Sequence, residues 1–283
     1  MSVGGATFAL MPFTSDPELT QLRVEELDAY MREHVDDGER LVCARAAGCR
    51  SSIEPGGNFY EGQGTHVGAH YDLTEDGVDW RVMVIGMETG RGDEHVSIAE
   101  RTADQNRAIS MTFNQRHAHM RGTTSVLRTA FGREYGADRA GELLDLRNQG
   151  EVVHLMNAYA LVNLRLCSAT KGTGYRSAAS SILSSNCFPH LVRTIEILEP
   201  TLCIMQGASI YRDIACRIAT VEKIDANLEV AKFGRHQTLF FHGNHPSAGS
   251  STTGYGTASA SPYFLQTVEP AIREARRRWF KRS

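Results

Sequence analysis

Apolar residues fall into short continuous runs along this chain, separated by polar and glycine-rich stretches. The clearest runs are RVMVIG (81–86), the one within 152–164 (VVHLMNAYALVNL), TLCIMQG (201–207) and TLFFHG (238–243). Runs of this length without polar alternation suit strands buried on both faces of a parallel sheet. Between them the spacing turns helical. Residues 16–35 set Leu19, Leu22, Val24, Leu27, Tyr30 and Met31 near one stripe, and 123–131 and 139–146 carry shorter patterns. In 186–199, Leu191, Ile195 and Leu198 recur at helical spacing, with Asn186 as N-cap and Pro189 in the first turn. ASIYRDIACRIA continues strand 201–207 as a helix. Alternating strands and helices predict an α/β layered fold with a mostly parallel sheet. Ligands bind such sheets beyond the C-terminal strand ends. Gly86–Glu94, Asn163–Cys167, Gly207 and His245–Ser247 are therefore candidate positions. Residues 36–79 and 249–261 read as loops.

Composition narrows the class. With 283 residues, 41% hydrophobic and 22% charged, the chain is ordinary globular material for one large or two small domains. A net charge of −3 argues against a general polycation and leaves room for a local basic groove. The basic run Arg273, Arg276, Arg277, Arg278, Lys281 and Arg282 reads first as a solvated helix end and second as a phosphate contact. No stretch reaches the roughly 18 apolar residues of a membrane helix, and the N-terminus lacks a signal-like pattern. The expectation is a soluble, cytoplasmic protein without a membrane partner. In a reducing compartment its six cysteines are ligands, catalytic groups or core residues before disulfides. Cys203 and Cys216, within an apolar strand and a helix, read as core thiols. Cys43, Cys49, Cys167 and Cys187 sit at element ends, where thiolates can converge on zinc or an iron–sulfur cluster. Their spacing leaves that choice open.

At Phe240–Ser251, FFHGNHPSAGSS, a strand passes into a small-residue loop through His245-Pro246-Ser247. A plain turn accounts for proline and serine there. The rest of the chain adds a resemblance. Asn163-Leu-Arg-Leu-Cys167, then Cys187-Phe-Pro-His-Leu, then LEPTLCIMQG, and finally His245-Pro246-Ser247-Ala248 resemble, in order, the motifs of the family 4 uracil-DNA glycosylases. IGMETGRGDE (85–94) and HMRGTTSVL (119–127) are similar to that family's upstream loops, so the likeness covers about residues 40–275.

The resemblance implies a three-layer α/β/α fold around a central, mostly parallel four-stranded sheet. It also implies a single glycosylase-like domain over 1–283, in which 1–80 forms a helical and loop segment carrying two cluster cysteines. Cys43, Cys49, Cys167 and Cys187 would ligate a 4Fe-4S cluster of structural role, although five residues separate the first pair where the family usually has two. The implied activity is DNA base excision, with DNA as the partner of a monomeric enzyme. His245 would donate to the departing base, Asn163 would read its polar edge, and Asp93 would orient water or face the sugar cation. Gly86 and Gly90 would let backbone approach the ligand, and Ser247 would grip a phosphate. Met87 and Glu88 stand where the family has a glutamate, and Phe113 or His119 would replace its stacking aromatic. Each also has a plainer reading as a turn, loop acid or strand-end amide.

The segment from Asp93 to Arg121 is longer than in the family and carries Asn106, Asn114, Gln115, His117 and His119. It reads either as a surface loop or as the wall of a roomier, more polar pocket for a damaged or modified base, with repair or antiviral defence against modified phage DNA as settings. Residues 168–186 contain no histidine, which disfavours covalent trapping of the product. A non-catalytic nucleic-acid binder of the same fold and a zinc-stabilised protein are the competing classes.

Overall fold

The four apolar runs supply neighbouring parallel strands, β6 (Val82–Gly86), β9 (Tyr159–Asn163), β11 (Leu202–Gln206) and β14 (His236–Gly243), in the order β14-β11-β6-β9. These lie within a larger sheet of the computed structural model, which describes residues 13–89, 94–147, 150–172, 177–248, 253–256 and 261–282. Antiparallel β13 (Leu228–Phe233) and β12 (Ala219–Lys223) extend the sheet beyond β14, and antiparallel β3 (His66–Val67) extends it beyond β9, giving seven strands. A second sheet has five: β1 (Phe13–Ser15), β4 (Leu73–Glu75), β5 (Val78–Asp79), β7 (Leu143–Leu146) and β8 (Glu151–His154). β2 (Asn58–Tyr60) pairs with β10 (Ser168–Thr170) in a third.

The expected three-layer fold around one mostly parallel four-stranded sheet is therefore corrected to sheets of seven, five and two strands, the two larger ones mixed in direction. The added strands are short or polar; β3 and β5 have two residues each, and β12 is largely exposed. Such segments pair because a neighbour offers an edge, a tertiary circumstance that their own pattern does not announce.

The helices are α1 (Pro17–His34), α2 (Ala46–Ser51), α3 (Ile98–Arg107), α4 (Ala118–Ala130), α5 (Ser181–Leu198), α6 (Ala208–Ile214) and α7 (Glu269–Arg282). Along β6, Val82 and Val84 enter one core with α4 and α7, while Met83 and Ile85 enter the other with α1 and α5. Burial on both faces is why these strands read as unbroken apolar runs. Four local expectations change. The run 152–164 divides into β8, a 3-10 turn at Leu155–Asn157 and β9, and 139–146 becomes a turn leading into β7. Helix α5 begins earlier, capped by Ser180, so Asn186 and Pro189 lie in its interior. Proline cannot donate to the carbonyl four residues back, and Arg217 Nη1 meets that Ser185 oxygen at 3.3 Å instead. On α1, Leu27 is buried, whereas Leu19 and Leu22 of the expected stripe are exposed.

The long segment before α4 is not a loop. A capping box of Ser97 and Glu100 starts α3. Arg116, fully buried, then donates to both carboxylate oxygens of Glu142 at 2.8 and 2.6 Å, and His154 contacts the same carboxylate at 2.8 Å. This closed ionic group ties the approach to α4 onto the five-stranded sheet; removing one partner would leave buried charge unpaired. The basic run on α7 is paired as well: Arg273 with Glu269, Arg276 with Glu75, and Arg277 and Arg278 with Glu274. Among the described residues no helix is long and apolar enough to cross a membrane.

Candidate active site and cysteine cavity

Parallel register brings the strand ends into one row. Gly86 pairs with Asn163, Met205 with Ile85, and Gln206 with Gly243, so β9, β6, β11 and β14 terminate side by side. At the usual strand separation, β9 and β14 stand about 14 Å apart. Asn163 and His245 thus flank one edge from opposite ends.

On the β9 side, a Cβ on residue 86 would lie 2.7 Å from Asn163 Oδ1, so glycine is what lets that amide lie across the strand end. Asn163 Nδ2 donates to Thr89 Oγ1 at 3.3 Å. Met87 packs against the second core, with its sulfur 4.0 Å from Ser209 Oγ. Glu88 turns inward: its side chain is 4% exposed and lies 3.4 Å from Arg165, which also reaches Asp213 and Ser184. Burial raises the Glu88 pKa, against the opposing pull of Ser177 and Arg165. Gly90 and Asp93 lie outside the described residues.

On the β14 side, His245 Nδ1 accepts from Ser247 N at 3.2 Å, and His245 O accepts from Ala248 N at 2.9 Å. Accepting at Nδ1 leaves the proton of a neutral ring on Nε2. Pro246 rests on α4 at Gly122, where a Cβ would approach its ring carbon to 2.5 Å. The Ser247 side chain is exposed. His119, in the first turn of α4, stacks on His245 with centroids 5.0 Å apart, and His117, the α4 N-cap, stacks on His119 at 6.1 Å. Burial, then the neighbouring imidazoles His245 and His117, lowers the His119 pKa to about 3, and burial followed by His117 lowers that of His245. Phe113 is buried, 4% exposed, in a 3-10 turn before α4.

Residue-by-residue reading missed Gln206, Thr89 and Arg101. Gln206 ends a strand otherwise apolar, is fully buried, and accepts from Thr123 Oγ1 at 3.1 Å. Its amide lies near the His119 ring and the Tyr255 hydroxyl and acts on the titration of both. A polar residue closing a buried strand was the available signal.

Four residues beyond Asn163 lies Cys167. It lines one cavity with Cys43, Cys49 and Cys187, together with Val35, Leu166 and His190. Polar groups approach these sulfurs. Asn186 Nδ2 is 3.2 Å from Cys49 Sγ, His190 Nε2 is 3.8 Å from Cys43 Sγ, and the amides of Gly62 and Leu166 serve Cys167 and Cys187. Burial pushes the thiols of Cys167 and Cys187 up to about 12, so a thiolate there needs a cation beside it. Among the described residues, no group of three or more His, Cys, Asp or Glu is arranged to hold a single metal ion. Cys203 is a buried core thiol, whereas Cys216, expected in the core, is exposed on a turn after α6.

No protein-family model matches the chain, and no curated protein matches it.

The buried imidazoles carry a consequence for stability. Burial lowers His66 and His242 to about 4, and His119 to about 3. Each is neutral when folded, while the unfolded chain takes up a proton near the ordinary value of about 6.5. The stability they contribute is complete above that value and is lost as pH falls toward 4. For His66 or His242 the loss is about 3 kcal/mol, within reach of a domain's entire margin. Urea midpoints measured from pH 8 to pH 4 are expected to fall steeply below 6.5; a flat profile would show that these rings titrate normally.

Proposed function

We propose that this chain is a DNA glycosylase similar to the iron–sulfur branch of the uracil-DNA glycosylase superfamily. It flips out a uracil-like, damaged or modified pyrimidine and hydrolyses its N-glycosidic bond, leaving an abasic site. The observation that carries this reading is the shared strand-end edge: Asn163 over Gly86 at one side, His245 at the other, and four cysteines around one cavity just beyond Asn163.

A base within the duplex shields its glycosidic carbon, so it must leave the stack, at a few kcal/mol recovered in the pocket. Water adds to C1′ while the base departs with the bonding electron pair. Positive charge grows on the sugar and negative charge on the base, the oxocarbenium logic of glycoside cleavage. The Nε2–H of a neutral His245 is a suitable donor to the base oxygen, and a lowered pKa keeps it neutral at pH 7. The Asn163 amide oxygen, lying over Gly86, offers an acceptor to the donor edge of a pyrimidine. Asp93 would orient the water, and the Ser247 hydroxyl would meet a phosphate.

Cys43, Cys49, Cys167 and Cys187 fit a 4Fe-4S cluster. All four side chains line one cavity, polar groups approach them there, and four cysteines are the ligand number such a cluster takes. Bound there, the cluster supplies charge that keeps the thiolates ionised and cross-links residues 41–60 to α5. DNA as partner, a monomeric state and a cytoplasmic setting complete the proposal.

Single-turnover assays on duplexes carrying uracil, hypoxanthine or glucosylated hydroxymethylcytosine test it. Abasic product from at least one is expected. Tight duplex binding without product from any would instead mark a non-catalytic binder.

A further inference from the structure

We propose that Arg101 is a positioning residue for Asn163, acting through the Thr89 hydroxyl that both side chains reach. Arg101 projects from α3 and donates to Thr89 Oγ1 at 2.7 Å, Gln63 Oε1 at 3.2 Å and Gly64 O at 3.4 Å. Among the described residues no carboxylate lies within ion-pair distance of it. Buried charges are ordinarily paired. Burial accordingly depresses the Arg101 pKa, with Asp104 opposing from a distance. A half-buried guanidinium whose described partners are neutral oxygens is a weak device for stability and a strong one for orienting what it touches.

The orienting follows from donor and acceptor inventories. A guanidinium cannot accept, so Thr89 Oγ1 must accept from Arg101, in a charge-assisted bond. The same oxygen accepts from Asn163 Nδ2 at 3.3 Å. With its nitrogen engaged, Asn163 is left with Oδ1 directed over Gly86, at the strand-end edge. The amide therefore offers an acceptor to a ligand there. It suits a pyrimidine presenting N3–H or an exocyclic amino group and opposes an edge made only of acceptors. Without Arg101, Thr89 Oγ1 loses the charge-assisted bond that fixes its position, and the Asn163 amide loses a fixed acceptor and can rotate. Discrimination would then suffer more than folding. The main-chain end of Thr89 is anchored independently, since Ser168 Oγ donates to its carbonyl.

This inference rests on the reading in which Asn163 meets the extruded base, so its test has two arms. In the free protein labelled with 15N-asparagine, the Asn163 side-chain signal is assigned by its disappearance in Asn163→Ala. In wild type, and in Arg101→Lys, it is expected to show two well-separated, slowly exchanging protons. In Arg101→Met and Thr89→Val they should converge and exchange faster. An unchanged signal in both of those variants overturns the inference. In single-turnover excision, Arg101→Met is expected to slow cleavage by roughly 10- to 100-fold, the effect of one lost buried hydrogen bond. Duplex affinity should move by less than about threefold and Arg101→Lys should recover part of the rate. Wild-type rate and base selectivity in Arg101→Met also overturn it. If wild type cleaves no duplex while the amide signal responds as described, the glycosylase reading fails and the positioning role stands. Thr89→Val leaves Arg101 in place, which keeps the test decisive should Arg101→Met fold poorly.

Discussion

His245→Ala should lower single-turnover excision by roughly 100- to 1,000-fold, the usual effect of deleting one donor to a developing oxyanion. The loss should appear in the chemical step with duplex affinity little changed, because the bond strengthens only as charge reaches the base. His245 sits on a loop held by Pro246 against Gly122 and by backbone bonds from Ala248 N to His245 O and from Gly256 N to Pro246 O, so the backbone has reason to persist without the imidazole. Unchanged circular dichroism and melting would separate lost chemistry from lost fold. The pH profile offers a second check. A neutral donor with a pKa lowered by burial should give no activity limb near 6.5; a limb appears only at lower pH, as the ring charges. A wild-type rate in His245→Ala would remove this residue from the mechanism.

Cys187→Ser should abolish the broad absorbance near 400 nm expected of anaerobically purified wild type, with iron and sulfide content falling together. Cys187 is buried at the cavity among Leu166, Leu183 and its fellow cysteines. A group that binds the folded chain alone stabilises it by mass action, about 4 kcal/mol at a thousandfold excess over its dissociation constant. The melting temperature of Cys187→Ser should therefore drop by several degrees. Cys203→Ser and Cys216→Ser serve as controls, since one thiol is enclosed in β11 and the other is exposed. Full colour in Cys187→Ser, or colourless wild type loaded with zinc, would refute the cluster assignment.

Much of the local structure was legible before any coordinates. Residues 16–35 read as a helix from their spacing, and α1 spans Pro17–His34. The four apolar runs became neighbouring parallel strands because burial on both faces removes polar alternation. The start of α5 was misread because Asn186 and Pro189 resemble an entry signal. Ser180 performs that task, and Arg217, remote in sequence, satisfies the carbonyl that Pro189 leaves open. Arg101 and Thr89 gave no signal, since an arginine on a polar helix looks solvated until a neighbour covers it.

Sequence alone therefore located four of the buried strands and the His245-Pro246-Ser247 turn, because periodicity and proline geometry act over a few residues. Tertiary structure decided the number of sheets, the gathering of Cys43, Cys49, Cys167 and Cys187 at one cavity, and the exposure of Cys216. It also decided the alignment of Arg101, Thr89 and Asn163. These depend on which edges and faces meet across long separations in the chain, where contact energies of many residues compete and no local pattern records the outcome.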